Sequence, residues 1–161
     1  MPVNTGSGTR ISIGPRLTAK LPTDKAAALT LLKGLAYVAL GEVESIGDYG
    51  DTMSDVSFGA LAAGRAEHLK GLADAGTTDV TIGFDKDDAG QLKLVEAFLD
   101  RSRYDYPFMV EYVDGYIDYF AAKVMGNKKT GITNSDVVKR VATLGINSDI
   151  IEDDAEEDAG D

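Results

Sequence analysis

Few residues in this 161-residue chain combine the types and the spacing that catalysis needs. The single histidine, His68, stands between Glu67 and Leu69 in an extended stretch. A histidine base needs a nucleophile beside it and a third group to orient it. The chain offers no G-x-S-x-G, no H-E-x-x-H and no second histidine, so His68 reads as a structural or surface residue. Asp85, Asp87 and Asp88 resemble half of a calcium loop, but they lack the D-x-D-x-D-G spacing and the closing glutamate. Helix capping accounts for them better. Glu111 and Asp118 invite comparison with the two carboxylates of a glycoside hydrolase; on antiparallel strands they read more simply as outward, solvated positions. Tyr104, Tyr106, Tyr112, Tyr116 and Tyr119 offer flat rings on which bases or sugars stack. Strand packing and burial at an interface explain them better. The glycines of Gly41–Gly50 form neither G-x-G-x-x-G nor G-K-[ST]. No catalytic residue, cofactor or metal is expected.

The elements that position these residues centre on Thr78–Val141. Thr78–Phe84 alternates polar and apolar, placing Val80, Ile82 and Phe84 on one face of a strand. Asp88, with Gln91 three residues later, forms a D-x-x-Q capping box for a helix over about residues 88–102. Its periodicity buries Leu92, Leu94, Val95, Phe98 and Leu99 and leaves Lys93, Glu96, Asp100 and Arg103 wet. Strands at Pro107–Tyr112 and Tyr116–Val124 flank Val113-Asp114-Gly115, and Asp-Gly predicts a two-residue hairpin turn. Ser135–Thr143 supplies another strand. Upstream, Thr9–Ile13, Leu35–Leu40, Val56–Leu61 and Arg65–Lys70 read as strands. Lys25–Leu32 reads either as a short helix capped by Thr23 and ended by Gly34 or as an insertion. Gly47, Asp48, Tyr49, Gly50, Asp51, Thr52, Met53, Ser54 and Asp55 read as a loop. The expected fold is mainly β, a sandwich or half-barrel of seven to nine antiparallel strands with one confident helix packed on it.

Composition bounds the function. Apolar residues make up 43% of the chain, which excludes general disorder, and the length suits one domain. Cysteine is absent, so disulfides and thiolate metal sites are excluded. No apolar run approaches the roughly 20 residues that cross a bilayer, and no membrane partner is expected. The net charge of −11 argues against a dedicated DNA binder. Seven of the 27 acidic residues fall in residues 152–161, leaving a mildly acidic body. The expected layout is a flexible arm at 1–8, a domain at 9–151 and an acidic disordered tail at 152–161.

Gly41-Glu-Val-Glu-Ser-Ile-Gly-Asp-Tyr-Gly50 resembles the G-x-V-x-x-[IL]-G-x-[FY]-G segment of major tail tube proteins from bacteriophages with long non-contractile tails. Lys70–Gly76 followed by Asp79–Asp85 resembles the family's K-G-x-x-[DN]-x-G and the strand after it, and Ile146–Ile151 closes the chain in the family's order. The resemblance implies a tail tube fold in a virion structural protein, assembled in the bacterial cytoplasm into stacked hexameric rings through which the genome is ejected. It also implies tape measure, tail terminator and distal tail proteins as partners, with double-stranded DNA passing without specific binding. An acidic wall suits that passage, because it repels a duplex carrying about one charge per 1.7 Å. By alternation Glu111 and Asp118 are the first candidates for the lumen face, with Glu42, Glu44 and Asp79 next. Gly47–Asp55 is the candidate contact between subunits or rings. Two alternatives stay open: a type VI secretion or gene-transfer-agent tube on the same fold, and a small β-sandwich hydrolase or sugar-binding module using Glu111, Asp118 and the tyrosines.

Overall fold

The longest strand, β8 (Tyr116–Thr130), is the axis of the structure, a computed structural model that describes residue 3 and residues 5–154. In chain order its companions are β1 (Arg10–Ile13), α1 (Lys25–Lys33), β2 (Val38–Ala39), β3 (Val43–Ile46), β4 (Thr52–Gly59), β5 (Ala66–Asp74), β6 (Thr77–Gly83), α2 (Ala89–Leu99), β7 (Tyr106–Glu111), β9 (Lys139–Ile146) and β10 (Ile151–Asp154). Asp118 to Ala122 are all buried, so the first half of β8 is covered on both faces. It pairs antiparallel with β7 on one edge and with β10 on the other. Its second half pairs with β9, after a register shift between Val124 and Gly126 that bends the strand. The sheet order is β2-β1-β7-β8-β9-β6-β3, with β10 beside β8.

That bend folds the sheet over one core. Ile11, Ile13, Phe108, Val110 and Phe120 come from β1, β7 and β8; Val80, Ile82, Ala142 and Leu144 come from β6 and β9. Strict alternation on β6 and β9 aims every second side chain inward. Phe108 and Phe120 are direct cross-strand partners, with rings stacked at 5.7 Å. Burying each large apolar side chain contributes about 1.5–3 kcal/mol. A second cluster lies on the reverse face of β8, where Ala28 and Leu32 of α1 meet Tyr119 and Ile151. No helix among the described residues is long and apolar enough to cross a membrane.

The half-barrel expectation agrees with this architecture, and the details differ at several elements. Ten strands and two helices are present among the described residues, because the ambiguous Lys25–Leu32 stretch is a helix. Its cap is Asp24 rather than Thr23, and Gly34 ends it as expected. In α2 the Asp88 carboxylate accepts from Gln91 N, the predicted cap. The Gln91 side chain does not return to the cap residue; it is buried, accepts from Asp85 N and donates to Gly83 O and Gly41 O. The buried face of α2 is therefore Gly90, Gln91, Leu94 and Ala97, and Leu92, Phe98 and Leu99 are exposed, contrary to the periodicity reading. Phe84 falls beyond the end of β6 and lies between Lys129 and Arg140 instead of on the Val80–Ile82 face. The Asp-Gly turn holds three residues, Val113–Gly115, between Tyr112 and Tyr116, with Gly115 at φ 93° in the conformation that glycine adopts without strain. The strand placed at Ser135–Thr143 begins only at Lys139, and that placed at Leu35–Leu40 is Val38–Ala39 alone. Glu152, Asp153 and Asp154, expected in the acidic disordered tail, belong to β10. Asp153 is buried and pairs with Lys33 at 3.2 Å. Residues 155–161, and Met1, Pro2 and Asn4 of the expected arm, lie outside the described residues.

Candidate assembly surface

Among the described residues, strands β4 and β5 pair only with each other, as a two-stranded ribbon apart from the main sheet. Every residue of β4 is exposed, and so is every residue of β5 except half-buried Gly71. The register sets Val56 opposite Leu69 and Phe58 opposite Glu67, so Val56, Phe58 and Leu69 share one face. An irregularity between Met53 and Asp55 puts the extra residue on β5, so β4 keeps its alternation and Met53 stays on the opposite face. Asp55, Ser57, His68 and Lys70 line that opposite face too. The ribbon is thus amphipathic, with an apolar face that none of the described residues covers: Phe58 is 60% and Leu69 52% exposed. An isolated two-stranded ribbon is marginal in water, and exposed apolar surface of this kind marks an interaction site.

The base of the ribbon is fixed to the core by one tyrosine. Tyr49 packs its ring on Phe120 at 5.6 Å and donates its hydroxyl to Asp118 Oδ2 at 2.6 Å. Tyr112 donates to the same oxygen at 3.1 Å, and the two tyrosine hydroxyls also touch. Asp118 Oδ1 is buried without a hydrogen-bond partner. Burial pushes the Asp118 carboxyl above the usual carboxylate range, against the opposing pull of the two tyrosine hydrogen bonds, and the nearby Glu152 adds to the rise. Burial and the Asp118 carboxylate together raise Tyr49, which stays a neutral donor. Two glycines flank the ribbon with positive φ, Gly50 at 145° and Gly76 at 71°, where other residues would be strained.

The structure separates the residues singled out in the sequence. Glu111 lies opposite Ile117 and Asp118 opposite Val110, so the two carboxylates sit on opposite faces of the β7–β8 pair. Asp118 is 6% exposed, which overturns its reading as a solvated outward position; its alternation phase is the core phase of Val110 and Phe120. Glu111 is half-buried on the reverse face. Glu111 and Asp118 therefore do not converge as the carboxylate pair of a glycoside hydrolase would. Glu44 and Asp79 do share an outer face, tied to Lys139 at 2.8 Å and Thr143 at 2.7 Å respectively. Glu42 is exposed in a left-handed turn at φ 59°, its carbonyl accepting from Gly83 N. Gly47, Asp48, Tyr49, Gly50 and Asp51 form the expected loop, whereas Thr52, Met53, Ser54 and Asp55 are strand. His68 pairs with Asp55 at 2.9 Å, exposed on the polar face of the ribbon. No group of three or more metal-ligating side chains occurs among the described residues. Sequence reasoning placed strands at Val56–Leu61 and Arg65–Lys70 and missed that they pair apart from the main sheet with an exposed apolar face; Val56-x-Phe58, with Leu69 opposite, was the signal.

Comparison with known proteins gives this surface its context. Residues 34–149 match the family described as lambda phage tail tube protein. A comparison with curated proteins returned no match. Among solved structures, a chain from the virion of a native gene transfer agent particle superposes with a TM-score of 0.63 at 13% identity, covering 94% of this chain and 99% of that one. A chain of the SPP1 tail tube gives 0.62 at 10% identity, covering 93% and 78%. One from the anti-feeding prophage baseplate gives 0.65 at 8% identity, covering 97% and 99%. These likenesses establish a shared fold, and the family match covers most of the chain. The chain belongs to the lambda phage tail tube protein family.

Proposed function

We propose that this tail tube protein closes into hexameric rings that stack into a hollow tube, the conduit for genome ejection, and that it performs no catalysis. The observation that carries the reading is the β4–β5 ribbon, whose apolar face of Val56, Phe58 and Leu69 is left exposed by the described residues. Copies of the subunit complete it. A head-to-tail contact of this kind closes into a ring or runs on as a filament, and a tube needs both. The exposed stripe of Leu92 and Leu99 on α2 is a second apolar surface available to a neighbour. Gly47–Asp51, at the ribbon's base, belongs to the contact between subunits or rings. The lumen face is the outer side of β3, β6 and β9, where Glu44 and Asp79 stand; Asp118 is withdrawn from it, and Glu42 lies at its edge. Tape measure, terminator and distal tail proteins are the partners in the virion, assembled in the bacterial cytoplasm, and the duplex passes without specific contacts. Negative-stain microscopy of the concentrated protein tests this: rings or tubes are expected, and a compact monomer at every salt concentration and with those partners present overturns it.

A further inference from the structure

Two grooves of nearly equal size lie on this subunit, and their charges are opposite. One, of about 1080 Å³, is lined by Glu44, Asp48, Asp51, Asp118 and Glu152, with no lysine or arginine among its lining residues. Asp118 reaches it from the core phase of β8, and its buried Oδ1 has no partner there. The other groove, of about 1010 Å³, is lined by Lys20, Lys25, Arg103 and Lys123 against Asp105 and Asp149. Lys123 is held by Asp105, while Lys20 and Lys25 are exposed and make no ion pair among the described residues. A surplus of positive charge is unexpected on a chain of net charge −11. The basic groove meets β8 at Ala121 and Lys123, which alternate to the opposite face from Asp118. The two grooves therefore open on opposite faces of one strand, and a single copy cannot bring them together.

We propose that the acidic groove of one copy receives the Lys20–Lys25 rim of the next, so that charge fixes the head-to-tail polarity of the assembly. The occupant of each groove is thus a second copy of this chain, and the inference rests on the tube-forming reading above. Complementary potentials of this sort set orientation and exclude wrong pairings, because like charges facing one another are repelled. Asp48 and Asp51 are exposed, as are Lys20 and Lys25, and none of the four side chains has a hydrogen bond or ion pair among the described residues, so reversing them leaves the fold intact.

The test uses three full-length variants beside the wild type: Lys20→Glu with Lys25→Glu, Asp48→Lys with Asp51→Lys, and all four changes together. Critical concentration for assembly is measured by sedimentation, and thermal melting confirms that each variant folds. Each two-site reversal is expected to raise the critical concentration at least about tenfold at low salt. The four-site variant, which restores opposite charges at the same contact, is expected to return most of that loss. The gap between wild type and the two-site variants should shrink in about 1 M salt, where the screening length falls to roughly 3 Å. Two-site reversals that assemble like the wild type overturn the charge-polarity proposal while leaving the tube reading in place, and so does a folded four-site variant without rescue. A wild type that forms no tubes overturns the tube reading itself, and this proposal with it.

Discussion

Replacing Phe58 with alanine separates assembly from folding. Phe58 is 60% exposed on the ribbon, and a phenylalanine side chain presents on the order of 200 Å². Roughly 120 Å² therefore remains for a neighbouring copy to cover, which at about 25 cal/mol per Å² is worth about 3 kcal/mol per contact. Every 1.4 kcal/mol is a factor of ten in an equilibrium constant, so the critical concentration should rise about 100-fold. In the free subunit the same ring touches little, and surface substitutions of this kind stay within about 0.5 kcal/mol. The assay is a concentration series by sedimentation for the polymer, set against calorimetric melting of the dilute subunit. Unchanged assembly refutes the reasoning. A monomer melting several degrees lower with assembly intact refutes it equally, since the ring would then be supporting its own chain.

Other expectations follow from the core and the ribbon's anchor. Leu144→Ala, at a fully buried position between the two halves of the sheet, should cost about 2–5 kcal/mol in urea unfolding; a loss under about 1 kcal/mol contradicts the packing described. For Asp118 the fold favours the protonated carboxyl, so its contribution is present below the unfolded value near about pH 4 and is lost as pH rises through the raised folded value. Wild type measured against Asp118→Asn should therefore lose relative stability as pH rises from about 4, by about 1.4 kcal/mol for each pH unit that separates the folded from the unfolded titration. A wild type that gains instead shows the tyrosine hydrogen bonds winning over burial. Tyr49→Phe keeps the ring on Phe120 and removes one donor to Asp118; amide exchange in Thr52–Asp74 should speed up more than exchange in β6, and equal change in both contradicts the anchor. Truncation after Ile150 removes buried Ile151 and the Lys33–Asp153 pair and should lower the melting temperature markedly; an unchanged melting temperature contradicts the packing of β10.

The strands whose alternation is unbroken were legible in the sequence. β6 keeps Val80 and Ile82 inward, and the β7–β8 hairpin was set by Asp114-Gly115, wrong only in its length. The cap of α2 was legible too, because Asp88 to Gln91 is a local contact. What lay hidden depended on partners distant in the chain. Periodicity marked one apolar arc on α2, but the neighbours available from β8, β1 and β2 select Leu94 and Ala97 and leave Leu92 and Leu99 outside. Asp118 looked like a solvated carboxylate because its residue type outweighed its phase; two tyrosines, one 69 positions away, make its burial tolerable. The two strands of the ribbon were legible at Val56–Leu61 and Arg65–Lys70, but their separation from the main sheet was not, because the apolar face is covered by none of the described residues.

The most direct test is a helical reconstruction of the assembled tube, which shows what covers the Val56–Phe58–Leu69 face. A neighbouring copy is expected to pack on these side chains, with the ribbon crossing from one subunit to the next. A tube in which the face points into open solvent, with subunits joined elsewhere, would contradict it.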